Sequence, residues 1–337
     1  MSLKIAINGM GRIGRAAFKI IAEREGTEVV AVNDLTPAKD IAYLLKYDSC
    51  YGIWDKEIVG KENKLILEKK DIPYFCEPDP GNLPWKDLAV DVVLECTGVF
   101  NKSEKAIKHI EAGANLVILS APPKSDDIKM ILVGCNEKEF KPEKDKIISN
   151  ASCTTNCLAP VIKILNDEFG VEQALMSTIH SYTASQVLVD GPAKDVREMR
   201  AGALNLIPST TGAAVAVTKV LPELAGRFNG MSIRVPTPVV SASDLVVKLR
   251  QSVSVEKVNN AFIAASRGSM KGILGVTQEE LVSTDFRRNS HSSIVDLNLT
   301  MVVGADLVKV FAWYDNEWGY SERLIDLTVF AGQKIKK

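Results

Sequence analysis

The sequence predicts an α/β first half joined to an α+β second half. Three observations carry that prediction. Short apolar runs alternate with helix-period segments from Leu3 to Ser149, as in a parallel sheet covered by helices on both faces. Beyond a helical stretch that starts at Cys153, longer runs alternate apolar and polar residues, as strands with one covered face do. The length of 337 residues gives room for about two domains, each with its own core.

Leu3 to Asn8 reads as a buried parallel strand, and Gly9-Met-Gly11-Arg-Ile-Gly14 follows it directly. Ile13, Ala16, Ala17, Ile20 and Ile21 then recur at helical spacing. Glu28 to Asn33 is a second strand, and Asp34 closes it twenty residues after Gly14. Strand, G-x-G-x-x-G, helix, strand and acid in this order make a dinucleotide-binding unit of the Rossmann type. Gly9 serves the tight turn, Gly11 the approach of the backbone to a pyrophosphate, and Gly14 the close packing of helix on strand. Arg12 and Ile13 lie inside the same turn. A carboxylate at Asp34 accepts hydrogen bonds from ribose hydroxyls and repels a 2′-phosphate, so NAD is expected rather than NADP.

The alternation continues with helices over 38–47 and 102–112 and strands over 90–95, 115–120, 129–133 and 146–149. Ligands bind at the carboxyl ends of such strands, which makes Thr97, Gly98 and Ser120 candidates for cofactor contacts. Each also reads as an ordinary strand-end residue.

The segment Ala151-Ser-Cys-Thr-Thr-Asn-Cys157 places Cys153 between two hydroxyl side chains at the start of a helix whose Leu158, Ile162 and Leu165 share one face. The positive end of the helix dipole favours thiolate over thiol, and thiolate is the nucleophile. Ser152 and Thr154, with free backbone N–H groups, suit an oxyanion or a phosphate. A buried, inert cysteine at a helix start is the competing reading of this segment alone.

Strands follow over 174–180, ending in His180, and over 231–235, 241–250, 292–299 and 307–314, with a helix over 255–266. The stretch from Ser181 to Pro208 has poor apolar periodicity. A connection of that length inside a compact domain is usually functional or poorly ordered. Arg200 within it reads equally as a phosphate ligand or as a surface or subunit-interface arginine. His109, on a helix, and His291, in a polar turn, read as structural or solvated.

The composition is that of an ordinary soluble protein: 46% apolar, 25% charged, net charge −1. Neither a nucleic-acid nor a membrane partner is expected from it. The N-terminus lacks the apolar stretch of a signal peptide. Six scattered cysteines have neither disulfide-framework nor zinc spacing. No metal is expected, and a reducing cytoplasm is the expected location.

In order along almost the whole chain, the segments Ile7–Arg15, Leu45–Ser49, Glu95–Phe100, Ser149–Cys157, His180–Thr183, Pro208–Ala214, Arg234–Pro238 and Trp313–Ser321 resemble those of phosphorylating glyceraldehyde-3-phosphate dehydrogenases. The resemblance implies an NAD-binding domain over 1–151, a catalytic domain over 152–316 with a mostly antiparallel sheet, and a terminal helix over 317–337 that packs back on the first. It implies that Cys153 is the nucleophile and His180 its base. Thr183 and Arg234, with Ser185 near, would hold the C3 phosphate of glyceraldehyde 3-phosphate. Ser152, Thr154, Arg200, Thr211 and Gly212 would hold the attacking inorganic phosphate. Asn316 would bind the nicotinamide carboxamide, and the assembly would be a homotetramer. Met10, Pro78 and Val239 depart from the commonest pattern, and Pro78 removes one possible cofactor-side contact.

The chemistry implied is oxidation through a cysteine hemithioacetal and thioester, with transfer of the acyl group to phosphate. Two competing roles are a related reductase of acyl phosphates and a redox-sensing or RNA-binding protein on the same scaffold. The Thr183/Arg234 pair and Asn316 argue against the first. An intact His180 and two phosphate sites leave the second unexplained.

Overall fold

The computed structural model describes residues 2–336, which form two units. The first comprises residues up to Val133, Glu137–Ala151, and those from Ser321 onward; the second comprises Gly134–Asn136 and Ser152–Tyr320.

The first unit is built on a nine-stranded sheet. Seven strands run parallel in the order Lys129–Met130, Ile147–Ser149, Leu116–Leu119, Val92–Glu95, Leu3–Asn8, Thr27–Asn33 and Lys70–Phe75. Leu3–Asn8 is central because its run is apolar on both faces; Ile5, Ala6 and Ile7 are fully buried. Its neighbours leave on opposite sides, Thr27–Asn33 on one and Val92–Glu95 on the other. That divergence opens a crevice at the carboxyl end of the strand, where ligands bind in such sheets. Helices Arg12–Glu23, Ala38–Lys46 and Ser103–Glu111 connect the early strands.

Two antiparallel strands, Ile58–Lys61 and Lys64–Leu67, extend this sheet from Lys70–Phe75. Sequence reading gave no strand there, and it drew Lys129–Val133 too long. The hairpin lies at the sheet edge, and Val59 and Lys61 are exposed, so its apolar signal is thin. The helix Trp318–Ile335 ends in the first unit. Within that unit a side chain at Gly332 would strike Leu3, and Arg24 pairs with Glu322 at 2.9 Å and Asp326 at 2.5 Å.

A polar cluster lies wholly inside this unit. The Glu95 carboxylate accepts from Asn8 Nδ2 at 2.6 Å, from the Thr97 amide at 2.8 Å and from the Thr97 hydroxyl. Trp85 Nε1 donates to His109 Nδ1 at 2.9 Å. That bond leaves the imidazole proton on Nε2, which faces Glu95 Oε2 at 3.1 Å. Asn8, Trp85, Glu95 and His109 are each at most 1% exposed. His109, read from sequence as structural or solvated, is therefore structural.

The second unit holds an eight-stranded sheet ordered Ile207–Ser209, Phe228–Val235, Val171–Ser181, Ser241–Leu249, Leu307–Tyr314, Ser293–Asp296 and Leu274–Thr277, with Met301–Val303 on Leu307–Tyr314. Most pairings are antiparallel; Val171–Ser181 with Phe228–Val235, and Leu274–Thr277 with Ser293–Asp296, are parallel. Helix Cys153–Phe169 packs on this sheet, and Leu158, Ile162 and Leu165 are fully buried. Helix Ala213–Val220, absent from the sequence reading, arises from an Ala/Val/Thr run whose β-branched residues mask the helical period. The expected strand over 292–299 stops at Asp296, where its side chain accepts from the Asn298 amide and a 3₁₀ turn begins. Among the described residues, no helix is long and apolar enough to cross a membrane, and no group of three or more His, Cys, Asp or Glu is placed to hold a metal ion.

Candidate active site

Ser152 sits in extended backbone before the helix Cys153–Phe169, and its Oγ accepts from the Thr155 amide at 3.1 Å. This N-cap follows Ala151, whose φ of +53° lies in the left-handed region uncommon for a residue other than glycine. The cap places Cys153 at the first helical residue. His180 comes from the end of the strand Val171–Ser181, and Cys153 Sγ lies 3.5 Å from His180 Nε2. The two are 27 positions apart in sequence, and the fold makes them neighbours.

Tyr314 and Thr178 join them, and sequence reading missed both. The Tyr314 hydroxyl lies 3.0 Å from Thr154 Oγ1 and 2.8 Å from Thr178 Oγ1. The tyrosine ring stands edge-on to His180 with centroids 6.1 Å apart. Thr178 Oγ1 donates to the Ala242 carbonyl at 3.1 Å. Thr178 is two residues before His180 on the same strand, a spacing that puts both on one face; this was the available signal.

Arg234 is the register partner of His180 across two parallel strands. Its Nη1 lies 2.6 Å from His180 Nδ1 and 3.4 Å from the Ser181 carbonyl. Its Nε is buried without a hydrogen-bond partner, and among the described residues no carboxylate pairs with this guanidinium. A largely enclosed cation without a counter-ion suits an anionic ligand. Thr183 Oγ1 lies 3.0 Å from Ser185 Oγ, just past the end of the His180 strand.

The electrostatics differ from the sequence expectation. Burial pushes the Cys153 thiol above its ordinary value; the Thr154 hydroxyl, the Arg234 charge and the amides at the helix start pull it down without offsetting burial. Burial, then the Arg234 charge, pushes His180 down to about 3, against the Ser181 carbonyl. Burial thus opposes charge on both partners. The dipole argument was right in sign but omitted desolvation, which is larger here.

The other expected phosphate residues are more dispersed. Arg200 is exposed and its Nε pairs with Asp190 at 2.7 Å. Thr211 Oγ1 accepts from the Ala213 amide, and Gly212 precedes the helix Ala213–Val220. Thr211 lines a cleft with Arg197, Thr210 and Asn229, and Arg200 is not part of that lining. Asn316 is buried, its Oδ1 accepting from Ser241 Oγ at 3.0 Å.

In the first unit, the glycine turn fits a dinucleotide. Gly9 has φ +97°, and a side chain there would strike the Thr97 amide at 2.7 Å. One at Gly14 would meet the Gly9 carbonyl at 2.0 Å. At Gly11 nothing lies within 4 Å, so the space over that residue is open to a ligand. Helix Arg12–Glu23 has neither a side-chain cap nor an acid in its first turn, which leaves its amide dipoles to an anion. Asp34 Oδ2 accepts from the Met10 amide at 2.6 Å and Oδ1 from the Thr36 amide at 2.8 Å. Arg12 grips Asp48 with Nη1 and Nη2, at 2.6 and 3.2 Å, while Ile13 is half-buried. Thr97 and Gly98 are exposed at the carboxyl end of Val92–Glu95, and the Ser120 amide donates to the Glu95 carbonyl at 3.0 Å.

Residues 3–103 match the family model described as glyceraldehyde 3-phosphate dehydrogenase, NAD binding domain, and residues 152–316 match the C-terminal domain of the same family. The chain is 50% identical over 334 residues to a glyceraldehyde-3-phosphate dehydrogenase of Geobacillus stearothermophilus, covering 99% of each chain. It is 49% identical over 336 residues to glyceraldehyde-3-phosphate dehydrogenase 2 of Bacillus subtilis, covering 100% of this chain and 98% of the relative. Glyceraldehyde-3-phosphate dehydrogenase 1 of Trichormus variabilis is 49% identical over 334 residues, covering 98% of this chain and 97% of the relative.

Proposed function

Since the chain belongs to the glyceraldehyde-3-phosphate dehydrogenase family, we propose that it oxidises glyceraldehyde 3-phosphate to an acyl phosphate with NAD and inorganic phosphate, and that Cys153 and His180 carry the chemistry. The single observation supporting these roles is the 3.5 Å approach of Cys153 Sγ to His180 Nε2 at a helix start.

An aldehyde gives up hydride poorly, because the product would be an acylium ion. Addition of the Cys153 sulfur to the carbonyl removes that obstacle by making a hemithioacetal. His180 Nε2 takes the proton of its hydroxyl as the C–H bond breaks. The turn Gly9–Gly14, Asp34 at the ribose, Thr97, Gly98 and Ser120 near the strand ends, and Asn316 at the carboxamide would hold NAD, which when bound would supply the hydride acceptor. The acyl group left on Cys153 is a thioester. Inorganic phosphate attacks its carbonyl carbon, the C–S bond breaks, and the sulfur leaves as thiolate.

Arg234, Thr183 and Ser185 take the phosphate of the substrate. Ser152, Thr154, Arg200, Thr211 and Gly212 serve the attacking phosphate, with Arg200 turning from Asp190. A pair of anions needs local positive charge that the net charge of −1 conceals, and arginine forks match phosphate oxygens.

The same reading makes the chain a cytoplasmic homotetramer. Leu188, Val189, Leu204 and Leu206 are each at least 70% exposed on the connection between residues 182 and 206. An apolar patch of that kind is commonly covered by another chain, here a second copy. Sedimentation at micromolar concentration should give the mass of four chains; a monomer would remove this part.

The deciding assay follows NADH formation from glyceraldehyde 3-phosphate, with and without inorganic phosphate, with NAD and then NADP. Turnover dependent on phosphate and strongly favouring NAD is expected. No turnover with either cofactor would reject the assignment.

A further inference from the structure

Val240 stands in the left-handed region of backbone space, with φ +71°. A β-branched residue there is a genuine outlier. Such strain persists where the surroundings hold it, and it collects at ligand sites. Here Ser181 does the holding. Its Oγ donates to the Val240 carbonyl at 2.7 Å, and its amide donates to Ser241 Oγ at 3.1 Å. Ser241 opens the strand Ser241–Leu249, which lies between the strand that ends in Ser181 and the one that ends in Tyr314. From that place its Oγ donates to Asn316 Oδ1 at 3.0 Å. Ser181, Val240, Ser241 and Asn316 are all buried.

Counting protons fixes the direction of these bonds. A hydroxyl has one proton to give. Ser241 Oγ already accepts from the Ser181 amide, and Asn316 Oδ1 is the acceptor for its proton. That turns the oxygen of the Asn316 amide inward and its NH₂ away. Among the described residues no hydrogen bond engages Nδ2, and the atom is not sealed from solvent. The backbone beneath is held separately. Asp315 Oδ1 accepts from the Glu317 and Trp318 amides at 3.0 and 2.8 Å, and Oδ2 from the Arg288 amide at 2.9 Å. What remains for Ser241 to decide is which end of the Asn316 amide faces outward.

We infer that Ser241 is a positioning residue for the cofactor: by fixing Asn316 with its N–H outward, it makes the site select a pyridine ring whose substituent offers a carbonyl oxygen. This rests on the reading of Asn316 as the carboxamide ligand. Ser241 acts through Asn316 alone. An outward N–H matches the carbonyl of a carboxamide, whereas an outward oxygen would match its NH₂. Without the Ser241 proton, no other hydrogen bond among the described residues distinguishes the two orientations of that amide. Ser181 follows His180 directly, so the same bonds tie the end of the histidine strand to the amide that would hold the ring.

The test is calorimetric titration of the full chain, which needs no turnover. Three ligands are compared: NAD, its 3-acetylpyridine analogue, which keeps the carbonyl and lacks the NH₂, and ADP-ribose, which lacks the ring. Ser241→Ala is expected to weaken NAD and the acetylpyridine analogue by about tenfold each, the upper end for one neutral hydrogen bond, and to leave ADP-ribose unchanged. A merely structural Ser241 would lower the urea midpoint and keep the NAD to ADP-ribose affinity ratio at its wild-type value, which overturns the inference. A loss with NAD and none with the acetylpyridine analogue also overturns it, since Asn316 would then be offering its oxygen. Asn316→Ala separates the inference from the reading beneath it. If this variant keeps the wild-type ratio, the reading of Asn316 fails. If it lowers the ratio and Ser241→Ala does not, the inference alone fails. Should Ser241→Ala not fold, Ser241→Cys, close in size with a weaker donor, is expected to show the same pattern with a smaller loss; an unchanged ratio there overturns the inference.

Discussion

Asp34 reaches back across the sheet crevice to the Met10 amide, with Oδ2 and nitrogen 2.6 Å apart. The acid at the end of the second strand therefore braces the glycine turn that follows the first. Its other oxygen is held by the Thr36 amide, and the side chain remains half-exposed, leaving lone pairs for ribose hydroxyls. Replacing it should disturb affinity and selectivity together. For Asp34→Gly the KM for NAD is expected to rise about tenfold or more, the loss of a hydrogen bond to a charged group, and the preference over NADP to shrink. Steady-state kcat/KM with both cofactors checks this; an unchanged NAD/NADP ratio would show that Asp34 does not discriminate.

Removing the reacting groups should separate their roles. Cys153→Ser is expected to abolish NADH formation, since an alcohol cannot make the thioester. His180→Asn should retain substrate binding and lose roughly 10²–10⁴ in kcat, the usual worth of a positioned base. Single-turnover measurements would detect the slow acylation. A His180 variant with near wild-type kcat would remove that residue from the mechanism.

His180 also links stability to pH. Its folded pKa is depressed to about 3 from an ordinary 6.5. Below 6.5 the unfolded chain takes up a proton that the folded chain refuses, so stability is present above 6.5 and is lost as pH falls toward 3. Between pH 6.5 and 5 that loss is about 2 kcal/mol. Urea midpoints at both pH values should fall for the wild type and fall less for His180→Asn. Parallel slopes in the two proteins would contradict the assigned shift.

The buried Glu95 carboxylate should prove costly to alter. In Glu95→Gln an amide NH₂ would meet donors from Asn8, Thr97 or His109. Leaving a buried donor without its acceptor costs about 1–3 kcal/mol. Because Thr97 is held by this carboxylate and stands against Gly9, weaker NAD binding is expected alongside the lower stability. Urea unfolding and cofactor titration check both; a change below about 1 kcal/mol would contradict the cluster's role.

Much of this architecture was legible in the chain, and what was hidden has identifiable causes. Leu3–Asn8, the glycine turn and Asp34 stand together in sequence and remain together in space. The antiparallel strands over 58–67 escaped because an exposed edge hairpin carries little apolar pattern. Helix Ala213–Val220 escaped because its β-branched residues read as strand. Cys153 announced itself through its hydroxyl neighbours and the helix that follows, but the burial that raises its thiol pKa did not, because a motif records dipoles and not desolvation. Tyr314 and the Arg234–His180 contact depend on strand order and register, which no single strand encodes.

The bond from Trp85 Nε1 to His109 Nδ1 turns that indole into a built-in optical probe. Of the four tryptophans, Trp85 is fully enclosed and tied through one imidazole to the carboxylate beneath the cofactor turn. Its near-ultraviolet circular dichroism and emission would report the integrity of that turn without any attached label, and a Trp85→Phe chain supplies the blank against which the signal is read.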